Sequence, residues 1–115
     1  MLIKRFTDAR PYEAPNHFDV RGLRLQGFEP GGPEAFWVGL SHYLPGGGAG
    51  PDAGPLEKVY VVLAGELTVS AEGQTQLLRA LDSVRIGPNV ERSVRNDGNQ
   101  VATILVVMPY PPKKG

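Results

Sequence analysis

Apolar and polar residues alternate along most of the chain in short runs bounded by turn-forming residues. The runs lie at 18–28, 35–44, 75–80, 83–87, 92–96 and 101–108, with two more inside 57–73 on either side of a tight turn at Ala64-Gly65. A period of two sends successive side chains to opposite faces, so each run predicts a β-strand, with a bulge at Gly22. Strands that recur every roughly 8–12 residues are typical of a sandwich or a barrel. No amphipathic stretch reaches about a dozen residues, which predicts an all-β fold with little or no helix.

The remaining segments are predicted to be less regular. The segment PGGGAGPDAGP (45–55) carries five Gly and three Pro in eleven residues, a composition that predicts an irregular loop. Met1 to Phe6 is a candidate edge strand inside an N-terminal arm over 1–16. The tail over 109–115 is expected either to fray or to pack as an extended arm.

Composition narrows the class of protein. The 115 residues carry 12 basic and 12 acidic side chains, and their length supports one domain over 1–115, with the barrel over 18–108. A balanced charge argues against a nucleic-acid partner, which needs a concentrated positive face. The absence of Cys excludes a disulfide and a Cys-containing zinc site. No apolar run approaches the roughly 20 residues that cross a bilayer, so we expect a cytoplasmic protein with no membrane partner.

Residues 46–96 resemble the two sequence motifs of a small single-domain cupin. The first family motif is Gly, five residues, His-x-His, three or four residues, Glu, six residues and Gly. The second is Gly, five residues, Pro-x-Gly, two residues, His, three residues and Asn. Gly46 and Gly65 bound the first motif here, and Asn96 ends the second.

The resemblance also has departures in its turns. Gly87 stands where the family has Pro, and Asn89 stands where it has Gly, although Asn tolerates the left-handed backbone that such a Gly supplies. The stretch LDSVRI (81–86) resembles a Gly-Asp-x-x-x-Ile segment of the family, with Leu81 in place of the Gly. The resemblance implies a cupin jelly-roll barrel.

The metal-binding positions depart much further from the family. In cupins the His, His, Glu and His of the two motifs hold a metal ion. This chain has Asp52, Gly54, Lys58 and Arg92 at those positions. Only the aspartate is able to ligate a metal, and the two cations would repel one, so we expect neither a metal nor another cofactor. A metal site built instead from His17, His42 and Asp52 stays open, and a slip of one residue would turn Glu57 inward in place of Lys58.

The same positions predict a different site. Strand alternation puts Lys58 and Tyr60 on one face and Arg92 and Asn96 on another, and in the family both faces look into the barrel. Together with Asp52, these residues are the candidate ligand-binding set for a small anion, such as an organic acid or a sugar phosphate. The alternative is that the lysine and the arginine form ordinary ion pairs at the rim of a closed barrel.

Three functions remain open at this stage. The first is a metal-independent cupin that binds a small anionic molecule in a binding or accessory role. The second is a cofactor-free isomerase, epimerase or decarboxylase acting on a small organic acid or sugar derivative, which would use Lys58 and Arg92 with Tyr60 and His42 as candidate catalytic residues. His17 lies in a predicted loop and is a weak candidate for any functional role. The third is a metal-dependent, dioxygenase-like cupin with displaced ligands. The resemblance also implies a homodimer, since small cupins form dimers through sheet packing or exchanged N-terminal strands, and the arm over 1–16 fits such a role.

Overall fold

The structure, a computed structural model, describes residues 1–112 and confirms the predicted all-β class. Helical geometry within these residues is limited to one 3-10 turn at Phe6–Asp8. The strands are β1 Arg10–Tyr12, β2 His17–Gln26, β3 Phe36–Asp52, β4 Lys58–Ala64, β5 Leu67–Ala71, β6 Gln74–Leu78, β7 Ser83–Ile86, β8 Arg92–Arg95 and β9 Ala102–Pro109. Across residues 1–112, we find no helix of the length and apolarity needed to span a bilayer.

The strands curl into a nearly closed jelly-roll barrel in which every neighbouring pair is antiparallel. The order is β6-β5-β8-β3-β9-β4-β7, with β2 and then β1 added on the other side of β3. The long β3 makes the curvature possible, because its first half pairs with β9 and its last residues pair with β8. The inward faces of these strands therefore surround one common interior.

The interior follows the predicted alternation. Lys58, Tyr60 and Val62 of β4 are 5%, 4% and 0% exposed, and Ile104 of β9 is fully buried beside them. Glu57 is exposed and forms an ion pair with Arg85. The register predicted for this strand is therefore the one observed, and the slip that would turn the glutamate inward does not occur.

The prediction of an irregular loop over 45–55 is wrong for most of that segment. β3 continues through it to Asp52, and only 53–57 lacks strand structure. The glycines serve close packing between strands, since a Cβ placed on Gly48 would lie 2.5 Å from the carbonyl oxygen of Val94 on β8. Glycine inside a strand marks such a close backbone approach as well as a turn.

Two predictions for the N-terminal part of the chain are wrong, and the start of the tail packs, which is one of its two predicted alternatives. Met1 to Phe6 forms no edge strand, and the short strand of the arm is β1, which pairs with β2. Gly22 sits in regular register between β1 and β3, and the irregularities of β2 lie at 18–20 and 24–26. Tyr110 packs the start of the tail onto the barrel by donating its hydroxyl to the carbonyl of Pro33 over 2.6 Å. The last three residues of the predicted tail lie outside the described residues.

Leu81 offers a test of the turn that precedes β7. Its φ is 72°, in the left-handed region, and its side chain is 81% exposed. A non-glycine residue in this conformation is strained by roughly 1–2 kcal/mol, and here little packing compensates. We expect Leu81→Gly to raise the free energy of unfolding by about 1 kcal/mol after the entropy cost of glycine is included. Urea unfolding measures the change.

The matched control for this variant is Leu77→Gly. Leu77 is also an exposed leucine, but it lies within β6 in ordinary strand conformation. Glycine at that position relieves no strain, so stability should fall by about 0.5–1 kcal/mol. Loss of stability in both variants would contradict the argument for strain at Leu81.

Candidate functional site

The barrel interior opens into a cavity of about 270 Å³ on the side covered by the N-terminal arm. The inner faces of β3, β4, β8 and β9 form its floor, and residues 12–15 of the arm form part of its wall. Four of the five predicted ligand-binding residues line it: Asp52, Lys58, Tyr60 and Arg92. The structure therefore brings four of the five predicted residues together in one cavity.

Two buried cations define one part of this cavity. Lys58 is 5% exposed and Arg92 is 4% exposed. Among residues 1–112, neither has a carboxylate oxygen within 4.0 Å, so the predicted rim ion pairs do not form. Burial lowers the pKa of Lys58, and the charge of Arg92 lowers it further, while Asp52 acts in the opposite direction.

The Arg92 guanidinium is held on one side only. Its Nε donates a hydrogen bond of 2.9 Å to the hydroxyl oxygen of Tyr60. Its buried Nη1 finds no acceptor within residues 1–112. Burial raises the pKa of Tyr60, with Arg92 acting against that shift, so the tyrosine is a neutral phenol at neutral pH. A buried donor without an acceptor costs free energy unless something else supplies one.

Asp52 lies directly opposite Arg92 in the pairing of β3 with β8. Its side chain is nevertheless exposed, and it lines the mouth of the cavity. The aspartate therefore faces the two cations without neutralising them by direct contact, and its charge contributes to the field across the opening.

His17 lines the cavity, although its sequence position in a predicted loop gave little support for a functional role. It begins β2 and pairs with Ala49 of β3, although the preceding Pro15 and Asn16 favoured a loop. Its Nδ1 lies 2.8 Å from the carbonyl oxygen of Pro15, which can only accept, so Nδ1 carries the proton and Nε2 keeps its lone pair. Burial lowers the pKa of His17, and the positive charge of Arg92 contributes, despite an opposing effect of the Pro15 hydrogen bond.

Two predicted site residues lie outside the cavity. His42 points away from it because its neighbours Ser41 and Tyr43 take the inward face, and His42 Nδ1 lies 3.2 Å from Thr103 Oγ1. Asn96 is 1% exposed, and its amide donates to the carbonyl oxygens of Tyr43 and Gln100. The predicted roles of His42 in catalysis and of Asn96 in ligand binding therefore have no geometric support.

The other part of the cavity is aromatic and carries a third cation. The Arg24 guanidinium carbon lies 3.6 Å from the ring centroid of Phe28, 4.7 Å from that of Tyr12 and 5.5 Å from that of Trp37. Gly39 makes room for this group, because a Cβ there would lie 2.7 Å from the Trp37 indole and 3.0 Å from the Tyr12 hydroxyl. No motif or spacing in the sequence distinguishes Arg24 from the other arginines.

The side chains present do not suit a divalent metal ion. Two of the four positions that hold the metal in the family carry Lys58 and Arg92, and Gly54 has no side chain. Within residues 1–112, no group of three His, Asp or Glu side chains is arranged to hold a metal. The predicted alternative set of His17, His42 and Asp52 is therefore not arranged as a metal site either. Cations at these positions disfavour a metal and favour an anion.

Comparison with known proteins agrees with the fold. The family model of the cupin domain matches residues 39–108. The chain belongs to the cupin family. As a cupin it is 45% identical, over 111 residues, to the Mycobacterium tuberculosis protein named β-D-galactosidase Rv1717, and the match covers 96% of both chains.

Solved structures resemble this cupin closely in shape. The polyketide cyclase RemF from Streptomyces resistomycificus aligns with a TM-score of 0.84 and 21% identity, over 97% of this chain and 82% of that one. A predicted oxalate decarboxylase from Thermotoga maritima aligns with a TM-score of 0.79 and 21% identity, over 96% of this chain and all of the other. At such low identity these likenesses establish the fold alone.

Proposed function

We propose that this cupin binds, without a metal ion, a small molecule whose anionic group lies against Lys58 and Arg92. The observation that carries the proposal is the pair of buried cations, Lys58 and Arg92, which line one cavity and have no carboxylate oxygen within 4.0 Å among residues 1–112. An anion in the cavity would neutralise charge that is otherwise costly to bury. A carboxylate or a phosphate has the planar or multidentate oxygens that a guanidinium fork recognises.

The rest of the cavity favours a ligand with an apolar or ring-shaped body. Trp37, Val106 and Met108 line it beside the polar groups. A volume of about 270 Å³ lies just below the roughly 300–1,000 Å³ of pockets for drug-sized ligands, which favours a smaller ligand such as a small organic acid or a sugar derivative. We propose a binding or accessory role because the unpaired buried cations are the best-supported chemical feature of the cavity.

The homodimer and the cytoplasmic location remain predictions. The exposed apolar side chains of Ile3 and Phe6 in the arm favour the dimer.

A second candidate is an enzyme that hydrolyses a β-galactoside. Its support is the relative named β-D-galactosidase, at 45% identity over nearly the full chain. Glu13 and Asp52 both line the cavity, and most glycoside hydrolysis uses a pair of carboxylates on either side of the scissile bond. The neutral Nε2 of His17 would be a further proton acceptor in this candidate.

The proposed anion site is tested by calorimetric titration with matched acid and neutral probes. The pairs are butyrate with butyramide, benzoate with benzamide, and galacturonate with galactose. We expect the acid to bind about tenfold or more tightly than its neutral partner in at least one pair, because a hydrogen-bonded ion contributes more than a neutral group. Equal binding within every pair, or binding by none of the acids, would refute the anion site.

The variant for this test is Arg92→Met, with Arg85→Met as its control. Both remove one positive charge and keep a long side chain, but Arg85 is exposed and pairs with Glu57 outside the cavity. The acid should lose about tenfold or more in affinity in the first variant and almost none in the second. Turnover of 4-nitrophenyl β-D-galactoside that Asp52→Asn abolishes would instead support the galactosidase candidate.

A further inference from the structure

Arg24 is the third cation of the cavity, and its partners are aromatic rings. Its guanidinium carbon lies 3.6 Å from the centroid of Phe28 and 4.7 Å from that of Tyr12. Among residues 1–112, no carboxylate lies within 4.0 Å of its nitrogens. Stacking on a ring holds the guanidinium plane in place and leaves the N–H groups at its edge available to an anion.

Strand pairing connects Arg24 to the Lys58 and Arg92 pair across a continuous floor. Arg24 pairs with Gly39, Gly39 with Val106, and Val106 with Tyr60, which accepts the hydrogen bond from Arg92. Three strand spacings of about 4.8 Å separate the first and last Cα atoms by roughly 14 Å along the sheet, and the curvature of the barrel shortens the direct path. Arg24, Lys58 and Arg92 line the same cavity, so one ligand in it is able to meet both positions.

The cations of the lining lack a direct counter-charge at two separate positions. Lys58 and Arg92 form one position and Arg24 forms the other, and none of the three is ion-paired within residues 1–112. The carboxylates of Glu13 and Asp52 reduce the net charge of the lining to +1 without contacting any of these cations directly. A ligand with one acidic group would satisfy the Lys58 and Arg92 pair and leave Arg24 without a counter-charge.

We infer that Arg24 forms a second anion position and that the ligand of this cavity is a dianion, with acidic groups at both ends of a short body. One acidic group lies against Lys58 and Arg92, and the other lies at the exposed edge of the Arg24 guanidinium. The inference rests on the proposed anion site and extends it to a substrate class, that of dicarboxylic acids and phosphorylated carboxylic acids. The apolar floor at Val106 contacts the body between the two acidic groups.

The test is calorimetric titration with linear dicarboxylates from succinate to pimelate, each compared at constant ionic strength with the monocarboxylate of equal carbon number. We expect one dicarboxylate length to bind at least about tenfold more tightly than its monocarboxylate, since a second charge-assisted contact forms. In Arg24→Gln this advantage should disappear while monocarboxylate binding persists. The control Arg21→Gln removes the same charge from an exposed position on the same strand and should leave the advantage intact.

The outcomes separate this inference from the function on which it rests. If monocarboxylates bind and dicarboxylates gain nothing at any length, the second anion position is wrong and the first one stands. If no carboxylate binds, both fail. A dicarboxylate advantage that survives in Arg24→Gln would also overturn the role of Arg24. Should that variant fold poorly, Arg24→Lys, which keeps the charge and loses the fork, is expected to retain only part of the advantage.

Discussion

Replacement of Lys58 by methionine is expected to raise the free energy of unfolding of the unliganded protein by about 1–3 kcal/mol. The lysine is 5% exposed, lies beside Arg92 in the same cavity and has no carboxylate within 4.0 Å among residues 1–112. Methionine has a similar length and removes both the desolvation of the charged amine and its repulsion by the arginine. Urea unfolding at neutral pH measures the gain.

Lys4→Met is the matched control for this gain. Lys4 is also largely buried along its side chain, but its amine forms an ion pair with Glu29. Removing one partner of an ion pair leaves the other charge without compensation, so this variant should be neutral or destabilising. If Lys58→Met is the less stable of the two variants, the buried amine has a favourable partner and the argument for an unpaired cation fails.

The same substitution should weaken carboxylate binding by about tenfold to a hundredfold, because one of two charge-assisted contacts is lost. A variant with a higher free energy of unfolding and a lower carboxylate affinity would show that Lys58 serves ligand binding although it destabilises the fold. Such opposition between stability and function is common at binding sites. If Lys58 had a purely structural role, Lys58→Met would lower the stability of the protein and leave its affinity for carboxylates unchanged.

The inward direction of Lys58, Tyr60 and Arg92 was predictable because strand alternation is a local property. Once a register was chosen from the motif spacing, each residue of β4 and β8 had only one face available. The structure has this register, with Lys58 buried and Glu57 exposed. The location of the cavity followed from the same argument.

Features that depend on contacts between distant segments were not predictable from local patterns. Gly48 lies in a strand at a point where the backbone of β8 passes close to it. Composition alone cannot distinguish a glycine of this kind from a glycine in a turn. His17 reaches the cavity because β2 pairs with the far half of β3. Arg24 is recognisable as a cavity residue only through its contacts with the rings of Phe28 and Trp37, which the folded barrel brings together.

Carboxylate affinity is expected to fall as the pH rises, over a range below the ordinary titration of lysine. Burial lowers the pKa of Lys58 from its usual 10.5, the charge of Arg92 adds to this shift, and Asp52 opposes it. A bound carboxylate favours the protonated amine. Each pH unit above the lowered pKa should therefore weaken binding by up to about tenfold, until the affinity of the neutral-lysine form is reached.

The stability of the unliganded protein should have the opposite slope. Between the lowered pKa of Lys58 and 10.5, the unfolded chain still holds a proton that the folded chain has released. Because the unfolded state then binds more protons, the free energy of unfolding rises with pH across this window. Below the lowered pKa both states are protonated and the slope from this group vanishes.

Lys58→Arg isolates this group, since arginine keeps its charge throughout the range. Titration with the tightest-binding acid and urea unfolding, from about pH 7 to pH 10, should show both slopes in the original protein and neither in the variant. The neighbouring groups do not mimic the effect. Burial lowers the pKa of His17 below this range and raises that of Tyr60 above it. An affinity that falls equally in Lys58→Arg would mean that the pH dependence does not come from Lys58.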